Sequence, residues 1–420
     1  MIVLMTAGCG GSSGEAVVTN SGDLSDIIPY QTAGRYSSVL KGCVDIDTIL
    51  SSCLLSELPL IGQQSDNPDI ATIMERVLVS HQWMGQRFEA ALALLPVETL
   101  KLFRSVTAIV IDSDIRPSHY RTSTAAIYLD PAYLWLTNAE KADISKQEDY
   151  RTDFGADLSF DYLWRYVSGS SYAYESYDLN GTEERTLDDI RLPLSRLLYH
   201  ELAHAADFAP PDRIASLNPS ISVYETIRSV ENDWLSNRLY RQQPLVSQEL
   251  DSIASVLYDG QTADQTQQQM EADYAGALLQ NDGANHLYSY YTQYEDLAML
   301  FEAALMKHYD DIDMDIAFAG KPAAEEPVCE DYLVGWGERN RIAAESVKGR
   351  AEFAAESILP GATDWSVFFA TIVGMPQSMV VGEDWCANLT LGTGARSIRD
   401  DAALQNLAKR PINPQDRMIP

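Results

Sequence analysis

Positive charge is scarce in this chain: 30 lysines and arginines stand against 61 acidic residues among 420, a net charge of -31. Such a surface repels nucleic acid and anionic lipid, so neither is expected as a partner. The acidic residues are spread along the chain, which reads as a solvated, salt-tolerant surface. Long apolar runs are also missing, and no stretch reaches the 18 or more residues that a membrane-spanning helix needs. The five cysteines include no CxxC pair, so a thiolate metal site is not expected. There is no phosphate-binding glycine loop and no serine in a nucleophile-elbow setting, which leaves nucleotide and serine-hydrolase chemistry without support.

What is present describes a globular chain. Hydrophobic residues make up 46% and charged residues 22%, enough for a sizeable core and for two or three domains. Met1-Ile2-Val3-Leu4-Met5-Thr6-Ala7-Gly8-Cys9 runs from apolar through small residues to cysteine, and Gly10 to Gly14 follows as a flexible tether. This segment resembles the end of a bacterial lipoprotein signal, which implies a lipid anchor at Cys9 and a place in the cell envelope, facing the periplasm or on the outer membrane, or secretion. The remaining cysteines, Cys43, Cys53, Cys329 and Cys386, are even in number and fit an oxidising compartment. Three pairings are open to them. Proximity in sequence favours Cys43–Cys53, and with it Cys329–Cys386.

The expected fold is α+β, predominantly α, with a small sheet preceding the central helix. Residues 1–25 read as signal remnant and tether, 26–104 as a helical region, 105–310 as a central domain, and 311–420 as a loop-rich helical region. Ile70 to Val79 shows three- and four-residue apolar spacing, as does a second helix through Phe88, Ala91, Leu92 and Leu95 that Pro96 stops. Val106–Ile111 and Ala126–Leu129 read as strands. Residues 145–187 are polar and aromatic and read as an irregular wall or lid. A helix from about Asp188 ends before Pro210-Pro211, and another runs from about Tyr294 to His308.

Chemistry concentrates on the first of these two helices, in His200-Glu201-Leu202-Ala203-His204. On a helix, positions i and i+4 share a face, so both imidazoles can reach one metal ion. Neutral imidazole is a good zinc ligand, and the intervening Glu201 is placed to take a proton from water beside that metal. A catalytic zinc needs a third protein ligand and an open position. Glu295 is the preferred third ligand, because it opens a helix whose apolar face can pack on the first and whose Ala298 leaves room for close approach. Glu271 is the rival. Asp207, three residues after His204, is expected to orient a histidine N–H. His286 lies near a tyrosine cluster and is a further residue that could line the cleft.

The histidine pair, Asp207 three residues on, and Glu295-Asp296-Leu297-Ala298 together resemble zincin peptidases of the lethal-factor-like type, over roughly residues 200–302. The resemblance implies a zincin-like catalytic domain with one zinc ion on His200, His204 and Glu295. It also implies a tyrosine upstream of the ligand glutamate whose hydroxyl holds the oxyanion. Tyr288, seven residues before Glu295, matches, with Tyr290, Tyr291 and Tyr294 as competitors. Ala203 stands where many members have glycine, and Met299 where an acidic residue is common. Met270-Glu271-Ala272-Asp273 resembles the Glu-Ala-Asp segment of prenyl-protein-processing zinc peptidases, but Gln269 occupies the position of that family's ligand.

The expected activity is therefore a zinc metallopeptidase acting on a peptide or protein substrate, with Glu201 and Tyr288 as catalytic residues. Two other classes stay open: a zinc amidase acting on cell-wall peptides, and a surface binding lipoprotein whose zinc site is structural or inactive. By analogy with that fold, the resemblance implies that the strand Ala126–Leu129 is the cleft's edge strand and binds an extended substrate by strand addition.

Overall fold

The computed structural model describes residues 23–147, 149–391, 409–412 and 414–417. Cys9 and the signal-like segment lie outside them. The described chain is mixed helix and sheet with two small five-stranded sheets, consistent with an α+β class.

The first sheet is built from β1 (Ile28–Pro29), β2 (Val77–Val79), β3 (Ile109–Ile111), β4 (His119–Arg121) and β5 (Ala126–Leu129), in the order β1-β2-β3-β5-β4. Its three inner strands run parallel and both edge strands run antiparallel. The second holds β6 (Phe160–Ser168), β7 (Ser171–Tyr172), β8 (Asp313–Gly320), β9 (Val334–Arg339) and β10 (Gln377–Ser378), in the order β10-β9-β8-β6-β7, antiparallel throughout.

Several expectations change here. The apolar run 70–79 is not one helix: it forms a short helix, Ile70–Met74, and then the inner strand β2. Val77, Leu78 and Val79 are buried on both faces, and a short run of that kind carries no period that separates strand from helix. Residues 145–187 contain β6, the longest strand, so that stretch is not a loop throughout. Ala126–Leu129 is not an edge. β5 lies between β3 and β4, buried at every residue, and the free edge belongs to β4. The divisions at 104/105 and 310/311 both run through sheets, because β2 pairs with β3 and β6 pairs with β8. The region after 311 contributes three strands and a long helix instead of mostly loops.

Helix α1 (Gln82–Leu92) packs by β2. Helix α2 (Leu187–Phe208) starts at a capping box: the Thr186 side chain accepts from the Asp189 amide, and Asp189 accepts from the Thr186 amide. Asp188 and Asp189 also sit where the helix dipole favours acid. Pro193 removes one amide from the ladder without ending the helix, which stops at Ala209 before Pro210-Pro211. Helices α3 (Leu235–Gln242), α4 (Gln248–Tyr258) and α5 (Ala272–Asn281) follow. Helix α6 (Gln293–Asp310) is capped by Thr292, whose hydroxyl accepts from the Glu295 amide at 3.1 Å. It packs along α2, and α7 (Glu345–Ile358) packs on α6. The largest apolar core takes Val77, Ile109 and Ile127 from the first sheet, Trp164 and Ile316 from the second, and Leu198, Leu202, Leu297 and Phe301 from α2 and α6. The two helices that carry the candidate site are thus fixed by a core shared with both sheets.

Two disulfides close, Cys43–Cys53 and Cys329–Cys386, the pairing favoured by sequence proximity. They indicate an oxidising, extracytoplasmic compartment. No described helix is long and apolar enough to cross a membrane.

Candidate metal centre

One turn of α2 separates His200 from His204, and both side chains are buried. Their rings stand nearly perpendicular at 83°, 4.9 Å apart. The first turn of α6 brings Glu295 against them. Its Oε2 lies 3.1 Å from Nε2 of His200 and 3.3 Å from Nε2 of His204, and the two Nε2 atoms are themselves 3.3 Å apart. Three donors thus form a nearly equilateral triangle. Zinc bonds of about 2.0–2.1 Å in tetrahedral array place their ligand atoms about 3.3 Å apart, so the triangle has the edge length a shared zinc would require. Among the described residues these three form the group able to hold a metal ion.

The charge balance points the same way. Burial disfavours a charged His200, but Glu295 and Glu302 outweigh it and hold the imidazole's pKa up at about 10. Glu295 is itself pushed well below the usual carboxylate range: burial opposes this, and the two histidines prevail. A buried centre that draws in a proton so strongly has the electrostatics to take a cation in its place.

Glu201 is buried and faces the opposite situation. Among the described residues its Oε2 has no hydrogen-bond partner, and burial raises its pKa while His200 and His204 pull the other way. Tyr288 is buried, with its ring stacked at 23° and 6.5 Å from that of His200. Tyr291 and Tyr258 pack on it at 5.7 and 4.7 Å. The competing tyrosines are otherwise engaged: Tyr290 donates to Asp282 at 3.0 Å, and Tyr294 packs against Phe208 and Trp234.

Three other candidates are not brought into the triangle. Glu271 is exposed at the N-terminus of α5. His286 is fully buried between Tyr162 and Trp164, where its Nδ1 accepts from the Tyr288 amide, so it lines no open cleft. Asp207 does not orient a histidine. Its Oδ1 accepts from the Ser236 amide at 2.8 Å, tying the end of α2 to the start of α3, and burial pushes its carboxyl up to about 7.

The carboxylate that does reach a histidine is Glu302. Its Oε2 lies 3.0 Å from Nδ1 of His200, while its Oε1 accepts from the Tyr166 hydroxyl at 2.8 Å and sits 3.5 Å from Arg196 Nη1. Its position seven residues after Glu295, on the same side of α6, was the only sequence signal for this residue. Arg196 and Tyr166 had none.

No family model matches this chain, and no curated protein or solved structure matches it at a significant level.

Proposed function

We propose that this protein is a zinc-dependent hydrolase of peptide bonds, a metallopeptidase of zincin type. The observation that carries this reading is the contrast within one site. Three donors converge on a common point, and beside them Glu201 presents a buried carboxylate oxygen with no hydrogen-bond partner among the described residues. A structural zinc is closed by four protein ligands, whereas a catalytic one has three and keeps a position open. Two imidazoles and one carboxylate suit zinc better than magnesium or calcium, which take oxygen donors.

His200, His204 and Glu295 would hold the ion. When bound, zinc supplies Lewis-acid polarisation of a carbonyl and makes water acidic near neutral pH. The chain's own groups do the rest. Glu201, whose Oε2 accepts no hydrogen bond from the described residues, takes the proton of the attacking water and returns it to the leaving amine. Tyr288 donates its hydroxyl to the oxyanion as the carbonyl becomes tetrahedral. The free edge of β4, whose Tyr120 stacks on Phe208 one turn beyond His204, offers backbone groups to an extended peptide. We place the enzyme in the bacterial cell envelope or outside the cell, with Cys9 as the lipid-bearing residue if it is anchored.

Hydrolysis of a quenched fluorescent peptide library, measured beside zinc content, tests the reading. Wild type should cleave, and Glu201→Gln should keep its zinc while losing at least about 100-fold in kcat/KM. Zinc-loaded wild type that cleaves nothing would favour a binding protein with a structural site, and cleavage confined to cell-wall peptides would favour the amidase.

A further inference from the structure

We infer that Glu302 is the positioning carboxylate of the metal centre, fixing the tautomer and orientation of His200 and so setting its strength as a ligand. This rests on the metal-centre reading above.

An imidazole that gives Nε2 to a cation keeps its proton on Nδ1, and that proton needs an acceptor. His200 meets this condition on both sides. Its Nε2 faces Glu295 and His204, and its Nδ1 faces Oε2 of Glu302 at 3.0 Å. Glu302 cannot serve as a fourth ligand instead, because its other oxygen is already committed to Tyr166 at 2.8 Å. Met299, four residues after Glu295 and buried, has no side-chain oxygen to offer. The next carboxylate on the same face of α6 is Glu302, two turns along.

A fully buried carboxylate beside a metal centre needs its own counter-charge. Arg196 provides it from one turn before His200 on α2, with its guanidinium 3.5 Å from Glu302 and 5.3 Å from the Trp164 ring. Tyr166 and Trp164 come from alternate positions of β6. Two helices and a strand therefore converge to hold one carboxylate against one ring. The nine-residue strand in a stretch that reads as loop forms part of the support.

The test is titration of the metal-free full chain with Co2+, following visible d–d absorption, and with Zn2+ against a competing chelator. Glu302→Gln should weaken both metals about 10- to 100-fold and shift the cobalt spectrum, with Glu302→Asp recovering part of the affinity. Tyr166→Phe should show a smaller loss at unchanged thermal stability. If folded Glu302→Gln binds both metals as tightly as wild type with the same spectrum, the proposal is overturned. Should Glu302→Gln not fold, Tyr166→Phe decides: weaker binding supports the proposal, and unchanged affinity and spectrum overturn it. Wild type that takes up neither metal overturns the metal-centre reading itself, and this inference with it.

Discussion

Nδ1 of His200 lies 3.0 Å from Oε2 of Glu302, while Nε2 of the same ring lies 3.1 Å from Oε2 of Glu295. One imidazole is gripped at both nitrogens by two carboxylates of a single helix. The Glu302 contact turns Nε2 toward Glu295 and His204, and it links a short helical motif to a buried charge network that reaches the second sheet.

Tyr288 is expected to act through its hydroxyl. Tyr288→Phe keeps the ring that stacks near His200 and packs on Tyr258 and Tyr291. Its kcat should fall about 10- to 1000-fold with KM, zinc content and melting temperature little changed. Full activity in this variant would leave Tyr288 as a packed aromatic only.

His119 predicts an acid-side loss of stability. It is buried on β4, stacked on Tyr128 with its Nδ1 3.1 Å from the Pro117 carbonyl oxygen. Burial is the main cause that lowers its pKa from 6.5 to about 4. The unfolded chain takes up the proton near 6.5, so the stabilisation from a neutral ring is complete above that pH and is lost as pH falls through about 4. Between pH 7 and 4.5 the loss is on the order of 2 kcal/mol. Urea unfolding should show wild type losing that much more than His119→Gln over this range; equal losses would contradict the assignment.

The Cys329–Cys386 disulfide joins residues 57 apart, against 10 for Cys43–Cys53. Replacing each pair by alanine should cost about 2–5 kcal/mol in urea unfolding, with the larger loss at the longer loop. The reverse order would show that local packing outweighs loop closure.

Much of the centre was legible because its ligands obey helix geometry. His200 and His204 are one turn apart, so spacing brings two imidazoles together, and the apolar face of the helix that Glu295 opens favours it over Glu271 as the third donor. Glu302 was harder to read. Its register along α6 is visible, but which atom it meets depends on how α2 and α6 pack. Tyr166 sits on a strand that reads as loop, and Arg196, on α2, meets Glu302 only through that same helix packing. β6 is buried on both faces over most of its length, so the alternation that marks a half-buried strand is absent. The same cause misplaced the edge of the first sheet. Ala126–Leu129 shows strand composition, but only pairing on both sides reveals an inner strand, and the three-residue edge strand β4 is too short to carry a pattern. Asp207 had the right spacing for a role at the metal, and its described hydrogen bond turned instead to the Ser236 amide.

The most direct test is zinc K-edge X-ray absorption on the purified full chain, with zinc stoichiometry measured in parallel for Glu295→Ala and Glu271→Ala. The account predicts one zinc per chain, bound by nitrogen and oxygen at about 2.0–2.1 Å with scattering from two imidazoles. It also predicts loss of that zinc in Glu295→Ala and none in Glu271→Ala. A zinc retained by Glu295→Ala, or a first shell without imidazole, would contradict it.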